Sequence, residues 1–132
     1  MKNKWIEKNI KFNLDLPTTY YYGNEELFLQ VWTNIIENAV KFSRENGEIN
    51  IGIEKSFDFI KVYIEDKGIG MNEEVVSHIF DKFYQKDDSR SASGYGLGLA
   101  IVKRIVELSK GSIYVKSELN KGSTFIISLS RG

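Results

Sequence analysis

The chain has 132 residues, which is enough for one domain with one sizeable hydrophobic core. Hydrophobic residues make up 42% of it and charged residues 27%, the balance of a soluble globular domain. The 18 Lys and Arg residues equal the 18 Asp and Glu residues, so bulk charge gives no reason to expect nucleic acid as a partner. Cys is absent, which excludes disulfides, thiolate metal sites and cysteine nucleophiles, and no apolar run reaches the length of a membrane span.

The first third of the chain predicts a strand followed by a long helix. Apolar residues alternate with polar ones over residues 10–16, which is typical of a half-buried strand, and the tyrosines at 20–22 indicate a short second strand. A helical pattern then runs from Asn24, whose side chain suits an N-cap, to about Ser43. Its predicted core stripe consists of Phe28, Trp32, Ile35 and Ala39, widened by Leu29 and Ile36.

The rest of the chain predicts two strands joined by a hairpin turn, a short helix, a mobile polar loop, a second long helix and two closing strands. In order, these segments are 49–53, 60–64, 72–78, 84–96, 97–108, 112–117 and 123–129. The predicted buried face of the second long helix carries Ile101, Ile105 and Leu108. This order of elements predicts a single α/β domain in which helices cover one face of a mainly antiparallel sheet.

Asp66 is an acidic residue at a position where the strand pattern predicts burial. It continues the inward register of the strand 60–64, although a strand that ends at Glu65, with Asp66 capping a turn, is an equal alternative. Gly68 and Gly70 follow and would let the backbone approach a flat ligand closely. A carboxylate in a narrow apolar slot is suited to accept a hydrogen bond from an exocyclic amine, and adenine has one.

Three polar residues, Asn34, Asn38 and Lys41, share one face of the long helix, opposite its core stripe. A solvated helix face is the simpler explanation of this pattern. Asn, however, is a poor residue for the middle of a helix, because its side chain competes with the backbone. The alternative is that two amide oxygens and an ammonium group hold a magnesium ion and the phosphates around it.

Spaced glycines open the second long helix, in the run Gly-Tyr-Gly-Leu-Gly-Leu at 94–99. Successive backbone N–H groups at a helix N-terminus form an anion site, which favours phosphate. The run does not fit the dinucleotide-binding pattern, because no strand leads directly into it, and the chain has no Walker motif.

In this order, the segments resemble the boxes of the ATP-binding catalytic domain of sensor histidine kinases, in the gyrase, Hsp90, histidine kinase and MutL ATPase superfamily. The N box resembles Asn-Ile-Ile-Glu-Asn-Ala-Val-Lys-Phe-Ser at 34–43, and the first glycine box resembles Asp-Lys-Gly-Ile-Gly at 66–70. The F box is similar to Ile-Phe-Asp-Lys-Phe-Tyr at 79–84, the second glycine box to 94–102, and the last box to Gly-Ser-Thr-Phe at 122–125. The resemblance extends from about residue 5 to residue 130.

The resemblance implies a layered α/β sandwich that binds Mg-ATP, with a flexible lid at about 84–96 over the nucleotide. By position in the boxes, Asn38 would bind Mg²⁺ with help from Asn34, and Lys41 would reach a phosphate. The backbone of the second glycine box would hold the phosphates, which implies contacts from Gly94, Gly96, Leu97, Gly98 and Leu99.

At the base, the resemblance implies that Asp66 holds the adenine amine, with Thr124 nearby through a water molecule. Phe42, Ile79 and Tyr84 would line the base and ribose, and Gly68 and Gly70 would form the first glycine box around them. Many kinases of the family carry Arg where this chain has Gln85. Which basic residue would then contact the γ-phosphate is left open between Lys82, Lys86 and Arg90.

The resemblance also implies that the phosphate acceptor is missing from the chain. Its single histidine, His78, lacks the sequence context of a phosphoacceptor and is expected to be structural. We therefore expect a fragment of a larger receptor, in which a histidine-bearing helical hairpin accepts the phosphoryl group and passes it to a response regulator. This implies a cytoplasmic domain of a membrane-anchored parent protein.

Three other functions fit the sequence less well than a kinase does. An ATP hydrolase of the gyrase or Hsp90 type would carry Glu at the first position of the N box, where this chain has Asn34, and Glu37 points elsewhere on the helix. A nucleotide-binding regulatory module that has lost transfer activity has its best support in Gln85. A serine kinase acting on a sigma-factor regulator fits the F box and the long lid poorly.

Overall fold

The computed structural model describes residues 8–17, 23–82 and 98–130. In these ranges it contains, in chain order, β1 (Lys11–Asp15), α1 (Glu25–Phe42), β2 (Glu48–Lys55), β3 (Phe59–Asp66), α2 (Glu73–His78), α3 (Gly98–Leu108), β4 (Ser112–Glu118) and β5 (Gly122–Ser130). The predicted elements within these ranges are confirmed, whereas the strand predicted at 20–22 and the loop predicted at 84–96 lie outside them. None of these three described helices is long and apolar enough to cross a membrane.

The strands form one sheet in the order β1-β2-β3-β5-β4. β1 and β2 are parallel, and every other neighbouring pair is antiparallel. The predicted hairpin turn lies at 56–58, where the N–H of Ser56 donates to the carbonyl oxygen of Phe59 over 2.9 Å. The predicted two-layer α/β sandwich with a mixed, mainly antiparallel sheet is confirmed.

The two faces of the sheet differ in polarity. The inner face, which packs against the helices, carries buried apolar side chains from β3 and β5: Ile60, Val62, Ile64, Phe125, Ile127 and Leu129. The outer face carries hydrogen-bonded polar side chains. Asn50 accepts a hydrogen bond from the amide of Asn13 and donates one to Glu65, both over 2.8 Å. Alternation along each strand therefore decides on which side of the molecule a side chain lies.

Helix α1 begins as predicted, because the side chain of Asn24 accepts a hydrogen bond from the N–H of Leu27 over 2.9 Å. Its buried face differs in part from the predicted stripe. Leu29 is 64% exposed, whereas Val31, which the prediction omitted, is fully buried between Phe28 and Ile35. The reason is rotational: Val31 lies about one turn from both of these residues, while Leu29 is turned about 100° from Phe28 toward solvent.

The C-terminal end of α1 is capped by a lysine from the start of the described chain. The ammonium nitrogen of Lys8 donates to the carbonyl oxygens of Val40, Lys41 and Ser43 over 3.0, 2.8 and 2.9 Å. These carbonyl groups lie at the end of the helix, where backbone acceptors lack partners within the helix and a positive charge is favourable. Lys8 therefore stabilises the end of the helix that carries the polar residues of the N box.

The buried face of α3 is rotated from the predicted one. Val102, Ile105 and Val106 are buried, whereas Ile101 is 40% and Leu108 63% exposed. Both sets of residues have a spacing that fits one face of a helix, so periodicity alone did not distinguish them. Of the three residues predicted to be buried, only Ile105 lies in the core.

Candidate functional site

The strand β3 runs through Asp66, whose side chain is only 2% exposed on the inner face. The inward register predicted for this acid is therefore confirmed. Its Oδ1 atom also accepts a hydrogen bond from the N–H of Gly68 over 2.9 Å, so the side chain stabilises the following turn as well. Of the two alternatives, a strand that ends at Glu65 is wrong, because the strand includes Asp66, although the side chain does cap the following turn.

Burial raises the pKa of the Asp66 carboxyl above its ordinary value of 3.8, because desolvation disfavours the charged form. Backbone hydrogen bonds from Gly68 and Ser123 oppose this shift, and the charge of Glu65 adds a smaller increase in the pKa. A carboxylate has about four acceptor positions, so two backbone hydrogen bonds leave capacity to accept one from a ligand. Asp66 is therefore a buried acceptor suited to an amine.

The glycines that follow Asp66 are required for contacts within the protein. A Cβ atom on Gly68 would lie 1.9 Å from the carbonyl oxygen of Phe42, and one on Gly70 would lie 2.0 Å from that of Glu118. Gly70 also has a φ of +70°, which side-chain-bearing residues rarely adopt. The glycines predicted to admit a ligand therefore also allow close packing of the loop on its own chain.

Backbone hydrogen bonds fasten this loop on both sides. The N–H of Ile69 donates to the carbonyl oxygen of Phe42 at the end of α1 over 3.1 Å, and the N–H of Asn120 donates to the carbonyl oxygen of Ile69 over 2.7 Å. The loop after Asp66 is thus held between the end of α1 and the turn that joins β4 to β5. This packing brings the first glycine box against the N box.

The polar face of α1 lies next to the start of α3. Asn34 and Asn38 are half-buried, and Lys41 is exposed with its ammonium 5.3 Å from the centre of the Phe42 ring. A Cβ atom on Gly98 would lie 3.4 Å from Oδ1 of Asn34, an ordinary contact distance. The structure therefore brings an amide oxygen of the N box to the N-terminus of α3, where a helix favours anions.

Of the remaining predicted site residues, some pack against the core and the others lie outside the described ranges. Ile79 and Leu99 are half-buried and pack against the core. The predicted site residues that lie outside the described ranges are Tyr84, Gly94, Gly96 and Leu97, together with Gln85, Lys86 and Arg90 of the predicted lid.

The predicted role of Thr124 conflicts with the register of the sheet. Thr124 pairs with Glu65, and both belong to the outer face, whereas Asp66 belongs to the inner face. Ser123 is the cross-strand partner of Asp66 and is buried. Because successive residues of a strand point to opposite faces, Ser123 and not Thr124 belongs beside Asp66. Phe125 is buried on the inner face, and alternation places Ser123, two residues before it, on the same face. This pattern in the sequence could have identified Ser123.

His78 lies at the end of α2 with an exposed side chain. Its Nδ1 atom is 2.8 Å from Oδ2 of Asp81, three residues further along the chain. This surface pair agrees with the structural role expected for His78.

A cavity of about 570 Å³ lies apart from these residues, between the first half of α1 and the sheet. Apolar side chains dominate its walls, among them Phe28, Trp32 and Val62, and no predicted site residue within the described ranges lines it. The described residues that line it include the polar Asn24 and Glu25 but no Lys or Arg that could neutralise a triphosphate, so we place the candidate nucleotide site at Asp66 and Asn34.

A comparison with family models matches residues 23–132 to the family described as histidine kinase-, DNA gyrase B-, and HSP90-like ATPase. Among curated proteins, the heme sensor protein HssS of Staphylococcus saprophyticus is 38% identical over 125 residues, which are 95% of this chain and 27% of HssS. The chain thus spans about a quarter of that relative.

Solved structures agree with the family match. The catalytic domain of the histidine kinase ThkA has a TM-score of 0.83 and 27% identity, covering 98% of this chain and 84% of that one. Full-length ShkA in complex with AMPPNP has a TM-score of 0.84 and 29% identity, covering 98% and 27%. ThkA in complex with the response regulator protein TrrA has a TM-score of 0.78 and 25% identity, covering 99% and 37%.

Proposed function

The chain belongs to the histidine kinase-, DNA gyrase B- and HSP90-like ATPase family, and on that premise we propose that it binds Mg-ATP and donates the γ-phosphoryl group to a histidine of another domain. One observation carries the proposal: three segments that are distant in sequence lie next to each other in the fold. The loop after Asp66 packs on the end of α1, and the start of α3 packs beside Asn34. These are the segments from which the family resemblance expects base, metal and phosphate contacts.

At the base, Asp66 accepts a hydrogen bond from the adenine amine. Its burial and its position at the end of an apolar row support this role, and Ser123 takes the part first expected of Thr124. Phe42 lies directly before the cap of α1, its carbonyl oxygen accepts a hydrogen bond from the glycine loop, and the family resemblance assigns its ring to the base. Ile79 and Tyr84 are assigned to the same apolar wall by the family resemblance.

At the phosphates, Asn38 binds Mg²⁺ with help from Asn34, and Lys41 contacts a phosphate. Amide oxygens are hard donors of the kind that Mg²⁺ prefers, and both Asn residues are half-buried on one helix face. When bound, the metal ion neutralises negative charge on the phosphates. The family resemblance assigns the phosphate oxygens to the backbone N–H groups of Gly98 and Leu99, and to Gly94, Gly96 and Leu97 outside the described ranges.

The chain's own contribution to phosphoryl transfer is positioning and charge neutralisation, since this reaction needs little covalent participation by the enzyme. A histidine nitrogen attacks the γ-phosphorus, a new N–P bond forms, and the bond to the bridging oxygen of ADP breaks. That histidine belongs to a helical hairpin elsewhere in the parent protein. We propose that the parent protein is membrane-anchored. The complex of ThkA with TrrA supports a response regulator as the later partner.

The test uses ATP labelled at the γ-phosphate, first with the chain alone and then with a separate helical hairpin that carries an acceptor histidine. Acid-labile label is expected on the hairpin, slowly, because no tether raises its effective concentration. A hairpin with that histidine replaced by alanine is the control. Label on His78, or rapid phosphate release by the chain alone, would show that the reaction is assigned wrongly.

A further inference from the structure

A chain of hydroxyl hydrogen bonds ends beside Asp66. Ser117 of β4 pairs with Ser123 of β5, and Ser123 pairs with Asp66 of β3, so the three residues form one row across the sheet. The Oγ atoms of the two serines are 2.7 Å apart. Ser117 Oγ also accepts a hydrogen bond from the N–H of Met71 over 2.8 Å and lies 3.1 Å from the carbonyl oxygen of Gly122.

The number of hydroxyl hydrogens limits how this network is arranged. Ser117 has one hydroxyl hydrogen, and it donates either to Gly122 or to Ser123. In the first arrangement, Ser123 must donate back to Ser117 and offers a ligand only lone pairs. In the second, Ser123 accepts from Ser117 and keeps its own hydrogen for a ligand. The usual O–H···O distance is about 2.7–2.8 Å. The 3.1 Å contact with Gly122 exceeds it, which favours the second arrangement.

We propose that Ser117 is a positioning residue for base recognition, which keeps the hydroxyl of Ser123 a hydrogen-bond donor beside the acceptor Asp66. This inference rests on the proposed function, in which adenine lies at Asp66. One edge of adenine presents an amine donor at N6 next to an acceptor at N1. An acceptor and a donor side by side on the protein complement that edge, directly or through one water. Guanine presents the opposite order and is disfavoured.

The same hydroxyl fixes the loop that carries the glycines. Met71 follows Gly70 and is buried, so the acceptor that Ser117 offers to its N–H keeps the end of the loop on β4. Replacing Ser117 by alanine therefore leaves a buried N–H without its acceptor and lowers stability as well. The test must separate this structural effect from an effect on the base.

The experiment measures by calorimetry the affinities for ATP and for 1-deaza-ATP, which carries C–H in place of N1. The parent chain is expected to prefer ATP by about tenfold, and Ser117→Ala to lower that preference to about threefold or less. Ser123→Ala should lower it at least as far, because it removes the donor itself, and the double variant should lower it no further than Ser123→Ala, because Ser117 acts only through Ser123. Ser112→Ala, on the same strand but exposed, is the matched control and should keep the tenfold preference.

Equal weakening of both nucleotides by Ser117→Ala would overturn the proposal and leave only a structural role, and so would an unchanged preference for ATP. If Ser117→Ala does not fold, Ser117→Thr and Ser123→Ala decide: threonine must keep the preference and Ser123→Ala must lose it. Failure of the proposed function is distinct, because then ATP does not bind, or binds with an affinity that Asp66→Asn leaves unchanged.

Discussion

The end of the candidate site around Asp66 consists of buried backbone and short side chains, whereas the end around Asn34 and Asn38 is a half-exposed face of a helix. Around Asp66, a Cβ atom on either glycine of the loop would overlap a carbonyl group of the chain itself. At Gly98, the nearest atoms belong to the side chain of Asn34 and lie at ordinary contact distances. The part around Asp66, where we propose that the base binds (the base end), is therefore within the packed structure. The part around Asn34 and Asn38, where we propose that the phosphates bind (the phosphate end), is not.

Because of this difference, we expect substitutions at the two ends to affect the stability of the fold and the binding of ligand differently. Substitutions at the base end change the fold and the ligand contacts together, because the same atoms serve both. Substitutions on the helix face change ligand contacts while the core stays intact. Variants at the base end should therefore lose both stability and affinity, whereas variants at the phosphate end should lose affinity alone.

The largest effect is expected for Gly70→Ala. The substitution places a side chain at a φ of +70° and a Cβ atom 2.0 Å from the carbonyl oxygen of Glu118. We expect a loss of roughly 3 kcal/mol or more in the free energy of unfolding, measured by denaturant titration. Gly98→Ala is the matched variant at the phosphate end and should change this free energy by less than about 1 kcal/mol. Similar losses in both variants would remove the distinction between the two ends.

Asp66→Asn should weaken ATP binding by about 10- to 100-fold, since the variant loses a charge-assisted hydrogen bond worth about 1.5–3 kcal/mol. Circular dichroism checks that the variant folds, and calorimetry measures its affinity for ATP. Glu65→Gln is the control, because Glu65 is the neighbouring acid but belongs to the outer face. An unchanged affinity in a folded Asp66→Asn variant would exclude adenine from this position.

Asn38→Ala should reduce the increase in ATP affinity that magnesium produces by roughly tenfold, as expected for the loss of a metal-binding group. Stability should change little, because the side chain is only half-buried. Calorimetry with magnesium and with a chelator in its place measures the effect, and Gln30→Ala on the same face of α1 is the control. If magnesium strengthens binding in the variant as much as in the parent chain, the metal ion is held elsewhere.

The smallest effect concerns the pH dependence of stability. Burial raises the pKa of Asp66 in the folded chain above 3.8, so the folded state binds a proton more tightly than the unfolded state. The parent chain should therefore gain stability relative to Asp66→Asn as the pH falls through the folded pKa toward 3.8, with a constant difference at neutral pH. Unfolding titrations at several pH values test this. A relative loss of stability in that window would mean that the pKa is lowered instead.

Alternation predicted the sheet and the burial of Asp66 from the sequence, because both depend on a period of two along one strand. The reason for the glycines was not predictable in this way, since Phe42 and Glu118 are distant in sequence and only the fold brings them to the loop. The position of Ser123, and not Thr124, on the inner face was predictable, because the buried Phe125 fixes which residues of β5 point inward. The rotated face of α3 was not, because two apolar stripes overlap on that helix.

A crystal structure of the chain with AMP-PNP and magnesium would test the central claim most directly. We predict the N6 nitrogen of adenine at about 3 Å from the carboxylate of Asp66 and the triphosphate between Asn38 and the start of α3. A nucleotide bound on the outer face beside Thr124 and Glu65, or in the apolar cavity between α1 and the sheet, would contradict the account.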